Sequence, residues 1–178
     1  MAFDRTARGR AYVRKARAEI DAMLREGVRM SGNAFSSVLF VKGDLNPAEL
    51  RGEALLGGAD GRALRAALLK LGYAPEDWAA VNADASSRLF RQVVAVLDPA
   101  TMVACDEKAA ALVRDAFAED LAALADLNDA MLAPGRLVRA AGMRVINLGG
   151  FEAALASSSQ KQVMWARLKK IPPLGEPY

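Results

Sequence analysis

Residues 38–47 read Val-Leu-Phe-Val-Lys-Gly-Asp-Leu-Asn-Pro (VLFVKGDLNP), four apolar residues running into a lysine, a glycine, a carboxylate, an amide and a proline. A short apolar run bounded by turn residues predicts a strand over residues 37–42 that is buried on both sides, as in a parallel sheet. The polar junction after it has two readings. Asp and Asn cap turns through their own side chains, and the same groups at the end of a parallel strand stand where α/β sheets bind ligands.

Outward from this stretch, strands and helices alternate. Before it, Val13, Ala16, Ile20, Met23 and Leu24 fall on one face of a helix expected from an Asp4 cap to about residue 26, with a polar loop over 29–36. After it comes a long loop to Asp60, which is expected to cap a helix carrying Leu64, Ala67, Leu68 and Leu71 and stopped by Gly72. Short strands follow at 78–82 and 101–105. A helix starts at Ser87 and breaks at Asp98-Pro99, another spans 107–117, and a third spans 119–131. Strand-like pieces at 137–139 and 143–148 lead into Gly149-Gly150, and a last helix opens after Ser157. Residues 172–178, PPLGEPY, are expected to lie extended.

This order implies right-handed crossovers and helices on both faces of the sheet. The expected fold is a three-layer α/β/α domain over residues 1–178, with a small, mainly parallel four-stranded sheet. Residues 1–36 form its N-terminal helix and loop. Three junctions at the carboxyl ends of strands become candidates for a site: residues 42–47, 82–86 and 149–152.

Composition narrows the chemistry. The 178 residues contain no histidine and one cysteine, Cys105. That excludes histidine-based triads, histidine zinc sites, cysteine-ligated clusters and an internal disulfide. No apolar run is long enough to span a membrane and no apolar signal core opens the chain, so the expected compartment is the cytoplasm. Arg5, Arg8, Arg10, Arg14, Lys15 and Arg17 crowd the first helix, and Arg167, Lys169 and Lys170 the last; such patches attract polyanions or simply face solvent. The glycine-rich 57–61 stretch lacks the lysine and hydroxyl of a nucleotide-triphosphate loop.

From residue 37 to residue 171 the order of features resembles the uracil-DNA glycosylase superfamily, most closely its iron–sulfur bacterial and archaeal type. VLFVKGD resembles the first strand and Gly-Glu motif. GEALLGGADGRALRAALLKLGYAPEDWAAVNA resembles the glycine-bounded loop, crossover helix and second strand, with Asn82 matching the Asn of a Thr-Asn ending. LFRQVVAVLDPATMVACDEKAAALV is similar to the next helix, third strand and helix. GRLVRAAGMRVINLGGFEAALASSSQKQVMWARLKKI is similar to the terminal hairpin, site loop and last helix. Gly149-Gly150-Phe151-Glu152 replace a His-Pro-Ser motif, and the cluster cysteines are missing, with Ser86 at one of their places.

The resemblance implies DNA or a nucleobase as partner, no metal or other cofactor, and base excision weakened by these losses. It assigns Asp44 and Asn46 the catalytic part near the sugar. Gly43, Leu55, Leu56 and Asn82 would bind the base, with the two leucines replacing an aromatic platform. The Gly149, Gly150, Phe151 and Glu152 loop would face the duplex. The amides of Gly149 and Gly150 would stabilise the departing base, and Phe151 would act as a wedge between base steps. Two alternatives accompany this reading: a binding module without chemistry on the same fold, and an enzyme acting on a free nucleoside. For Phe151 the plain alternative is a core residue.

Overall fold

The computed structural model describes residues 5–172. Asp4, the expected first cap, and residues 173–178 of the expected tail lie outside the described residues, as do the side chains of Arg5 and Arg8. In chain order the elements are α1 (Arg5–Arg25), β1 (Met30–Gly32), β2 (Val38–Lys42), α2 (Pro47–Leu50), α3 (Ala59–Lys70), β3 (Ala79–Asn82), α4 (Ser87–Leu97) and β4 (Thr101–Ala104). They continue with α5 (Glu107–Ala116), α6 (Ala118–Ala122), α7 (Leu127–Ala130), β5 (Leu137–Ala140), β6 (Met143–Asn147), α8 (Phe151–Ala154) and α9 (Ser158–Leu168).

The strands form one mixed sheet of six in the order β1-β3-β2-β4-β6-β5. The four inner strands are parallel, and the two outer ones run antiparallel to their neighbours. The sheet therefore has six strands where four were expected. Both strand-like pieces near the C-terminus join the sheet, as β5 and β6, and β1 adds a strand inside the segment expected to be a polar loop; three residues with two polar or glycine positions give no alternation for a sequence pattern to register. Among the described residues no helix is long and apolar enough to cross a membrane.

Residues of alternate parity along the strands enter two separate apolar clusters. Leu39 and Val41 join Ile20 and Met23 of α1, Phe90 and Val93 of α4 and Val113 of α5. Val38 and Phe40 join Leu64 and Leu68 of α3, Phe151 of α8 and Met164 and Leu168 of α9. Val38–Lys42 is buried at every position, the pattern of a strand covered on both sides.

Three local differences from expectation have clear causes. The presumed loop after β2 holds the short helix α2, because Asn46 caps the amides of Ala48 and Glu49 while Glu49 reaches back to the Asn46 amide. This Asn-Pro-Ala-Glu box is a helix start that the glycines around it obscured. The expected helix 119–131 is split into α6 and α7, because Asp126 caps Asn128 and Asp129 and restarts the helix. Asp60 does not cap α3: Gly58 is the cap residue, and the Asp60 carboxylate, two positions into the helix, is drawn to Lys42.

The turn into α3 is the tightest passage near the sheet's carboxyl edge. Leu56 has a left-handed backbone, φ 55°, costly for a branched side chain. Its carbonyl accepts from Arg65 Nη1 at 2.9 Å and lies against Gly61, where a Cβ would stand 1.8 Å from the Leu56 oxygen. Only glycine fits at position 61. Gly61→Ala is therefore expected to lower stability by about 3 kcal/mol despite alanine's better helix propensity, measured as a lower urea midpoint with an unchanged slope.

Candidate functional site

Connections from the adjacent parallel strands β2 and β4 leave in opposite directions. β2 feeds α3 and then β3 on one side, whereas β4 lies on the other side of β2 and feeds α5. In such sheets the crevice at the carboxyl ends of the two diverging strands is where ligands bind. A cavity of about 340 Å³ occupies it here, bounded by Lys42 at the end of β2 and Asp44 just beyond it, Cys105 and Asp106 after β4, Asn46 and Asp60 near the starts of α2 and α3, and Gly150 to Ala153 after β6. Its size is at the lower end for small-molecule sites.

Lys42 ends β2 with the parity of Val38 and Phe40, and so faces α3 and α8. Its side chain is only 2% exposed, and its ammonium meets three carboxylates: Asp60 Oδ2 at 2.5 Å, Glu49 Oε2 at 2.7 Å and Glu152 Oε2 at 2.7 Å. An ammonium has three protons, so each carboxylate takes one. Glu49 and Asp60 are buried as deeply as the lysine, whereas the Glu152 side chain remains 43% exposed. Burial by itself works against the Lys42 charge, but the hydrogen bonds that its ammonium donates to Asp60, Glu152 and Glu49 overcome it and hold the pKa above its ordinary value. The ammonium is therefore permanently charged near neutrality and unavailable as a nucleophile or base.

Glu49 is fully used. One oxygen holds Lys42 and the Asn46 amide, and the other accepts from the Leu56 amide at 2.8 Å. Asp60 is not: its Oδ1 is buried and has no hydrogen-bond partner.

The question raised by VLFVKGDLNP is answered by Asp106. Its Oδ2 accepts from the amides of Gly43 at 2.8 Å and Asp44 at 3.0 Å, while Oδ1 caps α5 through Ala109 at 2.9 Å. Gly43 fits because a Cβ there would stand 2.5 Å from Lys108 Cβ. The junction is both a capped turn and the floor of a cavity. Beside it, burial, reinforced by the Asp106 charge, pushes the Cys105 thiol well above its ordinary pKa, leaving it neutral and unreactive.

The structure brings together part of the expected site. Asp44, Asn46, Leu56, Gly150, Phe151 and Glu152 border the cavity. Asp44 is exposed at its mouth. Asn46 spends its side-chain oxygen on the α2 cap, which leaves its NH₂ for other partners. Gly43, Leu55, Asn82 and Gly149 are not among the bordering residues. Leu55 is packed in the apolar cluster under α3. Asn82 is taken up by the Arg29 amide and the Asp84 carboxylate, the turn role its residue type favours.

Two roles expected of the last loop meet competing bonds. The Gly149 amide donates to Asn147 Oδ1 at 2.8 Å, and the amides of Gly150 and Phe151 both donate to the Cys105 carbonyl, at 3.1 and 2.8 Å. None of the three is an open oxyanion donor. Phe151 is buried in the cluster under α3 and α9, so it is core and not a projecting wedge. The terminal basic patch is also partly engaged, because Arg167 donates to the Leu148 carbonyl and Lys170 to the Gly135 carbonyl.

The residues the sequence reading missed are Lys42, Glu49, Asp60 as a ligand of Lys42, and Asp106. One signal was available for the first: a lysine at the in-facing parity of a doubly buried strand needs a counter-charge. No protein-family model and no curated protein matches the chain.

The buried cluster sets a pH signature. Because the folded pKa of Lys42 lies above its ordinary 10.5, its stabilising contribution is complete below that value and falls only as stronger alkali titrates the folded state. Lys42→Met strands three carboxylates without a counter-charge and is expected to cost about 3–5 kcal/mol at pH 7. In that variant the folded state binds protons more readily than the unfolded one, so its stability rises on acidification toward about pH 4. Urea denaturation of both proteins across this range should show the gap narrowing with acid.

Proposed function

We propose that the chain is a diverged member of the uracil-DNA glycosylase superfamily that binds a nucleobase, free or within DNA, in the crevice between β2 and β4. The observation that carries this reading is the meeting of Asp44 and Asn46 with Gly150, Phe151 and Glu152 around one cavity, since these come from the two loops that the sequence resemblance singled out. A three-layer α/β/α arrangement accompanies it, supported by apolar clusters that join α1, α4 and α5 to one parity of the strands and α3, α8 and α9 to the other.

In this reading Asp44, at the mouth, accepts a proton from water as its oxygen bonds to the sugar carbon. The bond from that carbon to the base breaks, and the base leaves with the electron pair and takes a proton from solvent water, while Asp44 returns its own proton to solvent. The Asn46 NH₂ orients the water. What the site lacks is a free amide for the departing base, because those of the last loop are bonded internally. Losing one such donor typically slows a reaction about a hundredfold or more, so base release is slow. The same closed amides favour a second reading in which the site binds without chemistry.

DNA as the partner is supported by Arg14, Lys15 and Arg17, exposed on α1, which would make affinity fall steeply with salt. The enzyme reading is tested with single-stranded and duplex oligonucleotides carrying uracil, mismatched thymine or hypoxanthine. The expected result is slow formation of abasic sites, abolished by Asp44→Asn. Salt-dependent binding with no abasic product from any of them would leave the binding module standing and remove the enzyme.

A further inference from the structure

Lys42 and Asp60 form a donor–acceptor pair that is incomplete in one respect. The ammonium is held at 2.5 Å by one oxygen of the Asp60 carboxylate, and the other oxygen of that carboxylate is buried without a partner. An unpaired carboxylate oxygen next to an ammonium is an acceptor beside a donor, on two groups already in contact. The donor is occupied only because Glu152 takes its third proton.

Of the three carboxylates on Lys42, Glu152 differs in kind. Glu49 and Asp60 are buried and fixed by their helices, and Glu49 is tied to two backbone amides besides. The Glu152 side chain is 43% exposed, and its bond to Lys42 is the only one it makes among the described residues. Its backbone does not need to move for the side chain to leave, because Phe151 is buried and its amide stays on the Cys105 carbonyl. Rotation of one partly exposed side chain would release one Lys42 proton towards the cavity that Lys42, Asp60 and Glu152 all border.

We propose that Glu152 is a displaceable latch over a ligand subsite made by Lys42 and Asp60, and that the subsite takes a molecule with a carbonyl beside an N–H, the edge of a lactam or cyclic imide. The ligand carbonyl replaces the Glu152 carboxylate on the Lys42 ammonium, and the adjacent N–H donates to Asp60 Oδ1. No bond is made or broken; one ion pair is exchanged for two charge-assisted hydrogen bonds. Two further features fit this exchange. Lys42 retains its two buried counter-charges throughout, so the released ammonium is not left bare. The orphaned oxygen, whose burial is costly while unpaired, gains a partner only when the ligand is present. The inference rests on the nucleobase reading for its ligand class, and it assigns base recognition to this pair in place of Asn82, whose amide is taken up elsewhere.

The test uses the full chain and titration calorimetry, with 1-methyluracil, 1,3-dimethyluracil, succinimide and 9-methyladenine as probes. The wild-type protein is expected to bind 1-methyluracil and to lose it on N3 methylation. Glu152→Gln, which weakens the latch and keeps its shape, is expected to bind 1-methyluracil about tenfold more tightly. Succinimide binding with the same response to Glu152→Gln would extend the subsite to imides outside nucleobases. Equal or weaker binding of 1-methyluracil by Glu152→Gln, or equal binding of the dimethyl compound, overturns the latch and the edge. Binding of 9-methyladenine without 1-methyluracil would overturn the edge and keep the nucleobase reading. Binding of none of the four probes would remove both.

Discussion

The carboxyl edge of this sheet is organised by one buried positive charge. A lysine at the end of a fully covered strand is almost shut off from water, so its ammonium is stable there only if the protein supplies counter-charges and a hydrogen bond for every proton. Lys42 receives them from α2 and α3, the two helices that follow its strand, and from α8, more than a hundred residues further on. The segment between β2 and α3 and the segment after β6 are thereby fixed to the same atom. The cavity between them exists because the cluster holds its walls at a set distance.

Around this centre single side chains hold several segments at once. Glu49 closes the capping box of α2, neutralises Lys42 and receives the Leu56 amide. Asp106 caps α5 and receives the two amides that follow β2. The strained Leu56 carbonyl is pressed on Gly61 and bonded to Arg65. The amides of Gly149, Gly150 and Phe151 are bonded internally, which leaves side-chain groups uncommitted around the cavity: Asp60 Oδ1, the Asn46 NH₂ and the Asp44 carboxylate.

The inner sheet was legible in the sequence because its signals are local. VLFV, AAVN, TMVA and MRVIN are short apolar or β-rich runs between turn residues, and each of them is a strand. The edge strand β1 was not, since three residues carry no periodicity. Nor was α2, although its Asn-Pro-Ala-Glu box was readable, nor the break at Asp126. The site was half legible. Asp44, Asn46 and the 150–152 loop follow from their places after strands. Lys42, Glu49 and Asp60 escaped because a polar residue at a strand end, a glutamate after a proline and an aspartate at a helix start all have ordinary local explanations, and only tertiary contact unites them. Asn82 went the other way: its position suggested a ligand, whereas the backbone amide of Arg29, 53 residues away, and the nearby Asp84 carboxylate take up its side chain.

The two rim strands bear on how the molecule behaves in a crowd. A sheet edge is a template on which a second chain can extend the ladder. Here one rim is β1, three residues long and ended by Gly32, which lies under the Trp78 ring; the other is β5, four residues long. Both oppose the direction of the strands they cover, so the long parallel interior is never presented to a newcomer. Stacking of copies strand upon strand gains little purchase on such short borders.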